Sequence, residues 1–213
     1  MPAQATAREH AGSVADVADA VGTDTGGANA VDTDTAHAET VDAKAVDAET
    51  VAAKTADDGA AIDVAHYRRV LGHFPSGVTV VASEDADGPV GFACQAFSAL
   101  SLDPPLVLFS VGLTSTTWPR IEATGRFCVN FLAADHEQLC RAFAVSGGDK
   151  FAGVAWRRSE LGCPILDGAH GWVDCTIEAT YPGGDHTIVV GRVHGLDADG
   201  ESNPLIFHKG AFG

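Results

Sequence analysis

A mainly β domain, closed or nearly closed into a barrel, is the fold predicted for residues 61–213 of this 213-residue chain. The first sign is a series of short β-branched and aromatic runs separated by Gly and Pro. These are VTVVA (78–82), VGFAC (90–94), LVLFSV (106–111), FCVNFL (127–132), VDCTIEAT (173–180) and HTIVVGRVHGL (186–196). The second is that only short helical pieces interrupt them. The third is that no G-x-G-x-x-G joins a strand to a helix and no Walker A sequence occurs, which argues against a doubly wound nucleotide fold.

The helical pieces follow from spacing and caps. IDVAHYRRVLGHF places Ile62, Ala65, Val70 and Phe74 near helical spacing, with Asp63 early, where the helix dipole favours an acid. TTWPRIEATG carries Pro119 in a first turn and Gly125 just past the end. DHEQLCRAFA reads as a helix capped by Asp135, with Leu139, Ala142 and Phe143 as its buried face.

Residues 1–60 are of another kind. They are a loose repeat of Ala, Val, Thr, Asp and Glu with 12 acidic and 3 basic residues, and contain no Phe, Trp, Tyr, Leu or Ile. Such a segment cannot bury enough apolar area to offset its chain entropy, so a disordered acidic tail is expected ahead of the domain. The whole chain carries a net charge of −16, which disfavours nucleic acid or an anionic membrane as partner. No apolar run has the length of a membrane span, and MPAQATAREH lacks the apolar core of a secretory signal. Cys94, Cys128, Cys140, Cys163 and Cys175 are odd in number, widely spaced and form no C-x-x-C pair. Reduced, buried thiols in a cytoplasmic protein are expected, with no metal site.

Familiar catalytic constellations are missing: there is no G-x-S-x-G, no H-E-x-x-H and no H-x-H pair on a strand. Cys94 has no neighbouring His or cation to activate it as a nucleophile. Three features remain. GFACQAFSALSLDPP (91–105) keeps a strand thin with Ala93, Cys94 and Ala96, and sets Gln95 within it. Thr114, Ser115, Thr116 and Thr117 crowd the start of a helix, where they serve equally as caps or as a phosphate grip. Asp185-His186 opens a strand after Gly183-Gly184, as a satisfied polar pair or as a substrate-orienting one.

FPSGVTVVAS, GPVGFACQAFSALSLDPPLVLFSV, STTWPRIEATGRFCVNFLA, DKFAGVAWRRSELGCPIL and GGDHTIVVGRV, in that order, resemble the flavin reductase family, and actinobacterial members in particular. These are the short-chain NAD(P)H:flavin oxidoreductases that serve as the small component of two-component flavin-dependent monooxygenases. The resemblance implies a split, FMN-binding β-barrel of Greek-key type, generally a homodimer. It implies FMN or FAD with NADH, or NADPH, and a separate hydroxylase or halogenase fed by diffusion of reduced flavin. Position by position, it implies a flavin bed of Ala93, Cys94, Gln95, Ala96, Phe97 and Ser98. Many members carry Thr at position 93 and Ser at 95 and 96, where this chain has Ala, Gln and Ala. Thr114, Ser115 and Thr117 match the S-x-T segment that takes the ribityl phosphate. Lys150 and Phe151 match the D-[KR]-F loop, where Lys150 would set a positive charge near the phosphates, and Asp185 and His186 match the nicotinamide motif, His186 being the expected catalytic residue. The reaction implied is hydride transfer from nicotinamide C4 to flavin N5, which needs no nucleophile, metal or strong base from the protein. Two other readings use the same barrel: a non-catalytic flavin- or haem-binding module and a pyridoxine-phosphate-oxidase-like enzyme.

Overall fold

In the computed structural model, residues 62–198 and 202–213 are described, so the expectation for the acidic tail lies outside the described residues. Seven antiparallel strands form the main sheet: β2 (Thr79–Asp85), β3 (Gly88–Cys94), β4 (Phe97–Leu102), β5 (Pro105–Gly112), β6 (Arg126–Phe131), β9 (Gly171–Gly183) and β10 (His186–Ala198). Their spatial order is β3-β2-β6-β9-β10-β5-β4. The non-sequential neighbours β2–β6 and β5–β10 give the Greek-key character.

β3 and β4 lie at opposite edges of this order, yet only Gln95 and Ala96 separate them in sequence. Residues 88–102 therefore begin paired with β2 and end paired with β5. At the crossing, the Ser110 N–H donates to the Ala96 carbonyl at 3.0 Å, which carries the β4–β5 ladder into the bend. The sheet is thus a split barrel, joined across its seam by this one bending run.

β2 shows why the runs are continuously apolar. Val81 packs into one core with Phe109, Phe127, Val129, Cys175 and Val189, covered by Trp118 and Ile121 of α2 (Trp118–Thr124). Its neighbours Val80 and Ala82 face a second core with Leu132, Phe151, Leu166 and Leu205, covered by Phe143 of α3 (Glu137–Ala144). A strand buried on both faces has no polar side to alternate with. β3 repeats the pattern, Cys94 joining the first core and Ala93 the second.

Several expected details change. α1 (Val64–Leu71) is capped by Asp63, whose carboxylate accepts from the Ala65 and His66 N–H groups, but the helix buries no residue. α3 begins after His136, not Asp135, and buries Cys140 and Phe143 while Ala142 is exposed. Four strands of two or three residues are too short to show a period: β7 (Trp156–Arg158), β8 (Pro164–Leu166), β11 (Ile206–His208) and β12 (Ala211–Phe212); two-residue β1 (Ser76–Gly77) pairs with β11. Buried Asn130 anchors the β7–β8 hairpin: its Nδ2 donates to the Pro164 carbonyl at 3.1 Å, and its Oδ1 accepts the Leu166 N–H at 2.8 Å.

All five cysteines are free and buried, as expected from their spacing. Burial pushes the thiols up, to about 12 for Cys94, Cys163 and Cys175 and about 11 for Cys140, with Cys128 raised in the same direction. In the unfolded chain these groups ionise near 9.0, so folding stability is complete below that pH and is lost as pH rises from 9 toward the folded values. Urea midpoints are expected to be level between pH 7 and 8 and to fall above 9. An aromatic disulfide reagent is expected to label no cysteine in the native protein and all five after unfolding; rapid native labelling would contradict the buried placement.

Candidate active site

The bend between β3 and β4 is built by local bonds. The Phe97 N–H donates to the Gln95 carbonyl at 2.9 Å, a three-residue turn, and Thr79 Oγ1 donates to the Cys94 carbonyl at 2.8 Å. Cys94 Sγ points to the Ser110 carbonyl at 3.6 Å. Gln95 and Ala96 fall between the two ladders, and Phe97 packs its ring on Phe131 with centroids 5.4 Å apart.

Beside this bend lies a cavity of about 1220 Å³. Gln95, Ala96, Phe97 and Ser98 line it from the bend, Ser110, Gly112 and Thr114 from β5 and the loop beyond, and Asp185 and His186 from the β9–β10 turn. That turn is a two-residue loop with Gly184 at φ 76°, a conformation glycine adopts without strain. Its tip is tied to the β5 end, where the Leu113 N–H donates to the Asp185 carbonyl at 2.9 Å.

His186 pairs with Gly112 across the β5–β10 ladder. Its Nδ1 lies 2.7 Å from Asp185 Oδ1, and this bond, first among the causes, holds the Asp185 carboxyl below its ordinary range. An ionised carboxylate only accepts, so in this bond Nδ1 is the donor. A Cβ on Gly112 would stand 3.7 Å from His186 Nε2 and 3.9 Å from Thr114 Oγ1. Glycine leaves that ground between imidazole and hydroxyl open.

The remaining sequence-predicted positions lie elsewhere. Ala93 and Cys94 are enclosed in the two cores, so neither presents a side chain to the cavity. Ser115 Oγ accepts the Trp118 N–H at 3.1 Å, capping α2, while Thr117 precedes the helix without a side-chain cap bond. Lys150 Nζ donates to the Gly91 and Phe143 carbonyls at 3.2 and 3.1 Å, and half-burial holds its ammonium below the usual lysine range. Phe151 is buried edge-on against Phe143, centroids 5.0 Å apart. Neither residue lines the cavity.

Spacing missed other walls: Tyr67, Arg68 and Leu71 of α1, Phe131, His170 and Phe207. Val64, Tyr67, Arg68 and Leu71 recur at i, i+3, i+4 and i+7, a signal available in the sequence.

The model for the flavin reductase-like domain matches residues 71–213. The chain belongs to the flavin reductase family. It is 48% identical over 159 residues to the reductase subunit HsaB of a flavin-dependent monooxygenase from Rhodococcus jostii (strain RHA1), covering 73% of this chain and 82% of that one. Among solved structures, nitrilotriacetate monooxygenase component B from Mycobacterium thermoresistibile superposes with a TM-score of 0.68 at 48% identity, over 70% of this chain and 84% of the other. The NADH:FAD oxidoreductase SgcE6 of Streptomyces globisporus C-1027, solved with NAD and FAD fragments, gives a TM-score of 0.67 at 38% identity, over 70% and 91%. Among the described residues, no helix is long and apolar enough to cross a membrane, and no group of His, Cys, Asp or Glu forms a metal cluster.

Proposed function

We propose that residues 61–213 form a self-contained NAD(P)H:flavin oxidoreductase domain that reduces free FMN or FAD with NADH and supplies it to a separate monooxygenase. The observation that carries this is the convergence of the β3–β4 bend, Gly112, Thr114 and the Asp185–His186 pair on one cavity. The residues fit a planar ring: small Ala96 and open Gly112 leave space, Phe97 supplies an apolar wall, and about 1220 Å³ exceeds what one small ligand fills.

A bound flavin supplies the ring nitrogen that takes the hydride. The chain's own part is placement. Gln95, Ala96, Phe97 and Ser98 bed the ring, and the Gln95 amide is a polar side chain within the bend itself. Thr114 offers a hydroxyl to a phosphate or ribityl oxygen. His186, with Nδ1 held by Asp185, presents Nε2 to the nicotinamide and fixes its orientation.

The five reduced thiols suit a cytoplasmic site of action, and exposed apolar side chains on and beside α1 (Ile62, Val70, Phe74) suit a homodimer. Removing residues 1–60 is expected to leave kcat unchanged; a fall would give the tail a part in the reaction. Anaerobic mixing with NADH and FMN tests the reading, because protein-dependent bleaching of the oxidised flavin band is expected. Oxidation of pyridoxine 5′-phosphate without any nicotinamide would support the oxidase instead, and flavin binding without bleaching the passive module.

A further inference from the structure

The cavity is walled on one side by α1, which turns Val64, Tyr67, Arg68 and Leu71 toward it. No residue of this helix is buried, so the stripe faces ligand space rather than core. Among the described residues, Arg68 is the one Lys or Arg that lines the cavity. That matters in a chain of net charge −16, whose field opposes the approach of a doubly charged dinucleotide. Lys150, the cation expected near the phosphates, is instead bonded to two main-chain carbonyls. Arg68 also stands at a defined corner: its charge reaches the Asp185 carboxylate, which holds His186.

We propose that Arg68 binds the diphosphate of the nicotinamide dinucleotide, so that α1 forms the dinucleotide wall of the cavity opposite the flavin bed at Gln95–Ser98. This rests on the flavin reductase reading above. A guanidinium offers two parallel N–H donors to a phosphate and stays charged at every working pH. Its side of the cavity is that of Asp185 and His186, which fits the nicotinamide donor rather than the flavin.

The test compares two hydride donors on the full chain: NADH, and 1-benzyl-1,4-dihydronicotinamide, which has the dihydropyridine but no diphosphate. For Arg68→Ala, kcat/KM with NADH is expected to fall on the order of 10- to 100-fold. With the benzyl donor the loss is expected to be much smaller, the remaining activity also showing that the variant is folded, and Arg68→Lys is expected to recover part of the loss with NADH. Equal losses with both donors, or no loss with either, would overturn the assignment while leaving the reductase reading intact. So would a loss seen with FMN but not with riboflavin as acceptor, since it would place Arg68 on the flavin's phosphate. If the wild-type chain oxidises neither donor in a flavin-dependent way, the reductase reading falls first and the assignment with it.

Discussion

Replacing His186 by Ala is expected to lower NADH-driven flavin reduction on the order of 10²-fold while flavin affinity stays near the wild-type value. The asymmetry follows from position. His186 stands at the β9–β10 turn, above Gly112 and beside Thr114, whereas the bed at Gln95–Ser98 comes from a different run of chain. Losing the imidazole leaves that run in place but removes the group we propose to fix the nicotinamide, and an ångström of misplacement is enough for a loss of this size. Asp185→Asn is expected to cost less, because an amide oxygen still accepts from Nδ1. Stopped-flow reduction at saturating FMN, alongside fluorescence titration of FMN, separates the two quantities. Wild-type turnover in His186→Ala would remove His186 from the reaction.

The second large effect concerns stability. Gly191→Ala is expected to lower the free energy of unfolding by about 1–3 kcal/mol, the usual range for overpacking a well-filled core. Gly191 sits at a register shift in β10 and faces Cys175 and the edge of the Phe127 ring. An added Cβ would overlap that ring and come 3.2 Å from Cys175 Cβ. Phe127 cannot readily give way, since it is fully buried and packs edge-on against Phe109 with centroids 5.1 Å apart. In a Phe127→Leu background the ring carbon is gone, so the same substitution is expected to cost less, with a coupling of roughly 0.5–3 kcal/mol between the two sites. Urea unfolding of the four proteins measures this. An equal cost in both backgrounds would show that the ring is not what excludes the methyl.

Six of the seven barrel strands were legible because they bury a face and carry β-branched or aromatic residues where they pack; β4, which has no buried residue, was not among them. The seam was less so. Nothing in GFACQAFSALSL says that the run changes partners at Gln95–Ala96, because pairing across a barrel is set by distant strands. The same run, whose residues 93–98 the family resemblance gives as a flavin bed, is divided by the fold. Ala93 and Cys94 are small because two cores close on them, and only the four residues after them reach the cavity. Ser115 and Lys150, which the resemblance implies as partners of the phosphates, have bonds of their own here: one caps α2 and the other bridges two carbonyls. α1 failed in the opposite sense: its register was readable, but the expected stripe of Ile62, Ala65, Val70 and Phe74 is exposed, and the adjoining stripe walls the cavity. Helical period shows that a face exists and leaves open whether core or ligand covers it.

The most direct measurement is the absorbance of NADH at its nicotinamide band, followed with purified protein in the presence and in the absence of FMN or FAD. The predicted result is rapid loss of absorbance that requires both protein and flavin and is slowed by His186→Ala. An absorbance that stays constant when protein, NADH and either flavin are together would contradict flavin-dependent hydride transfer at this cavity.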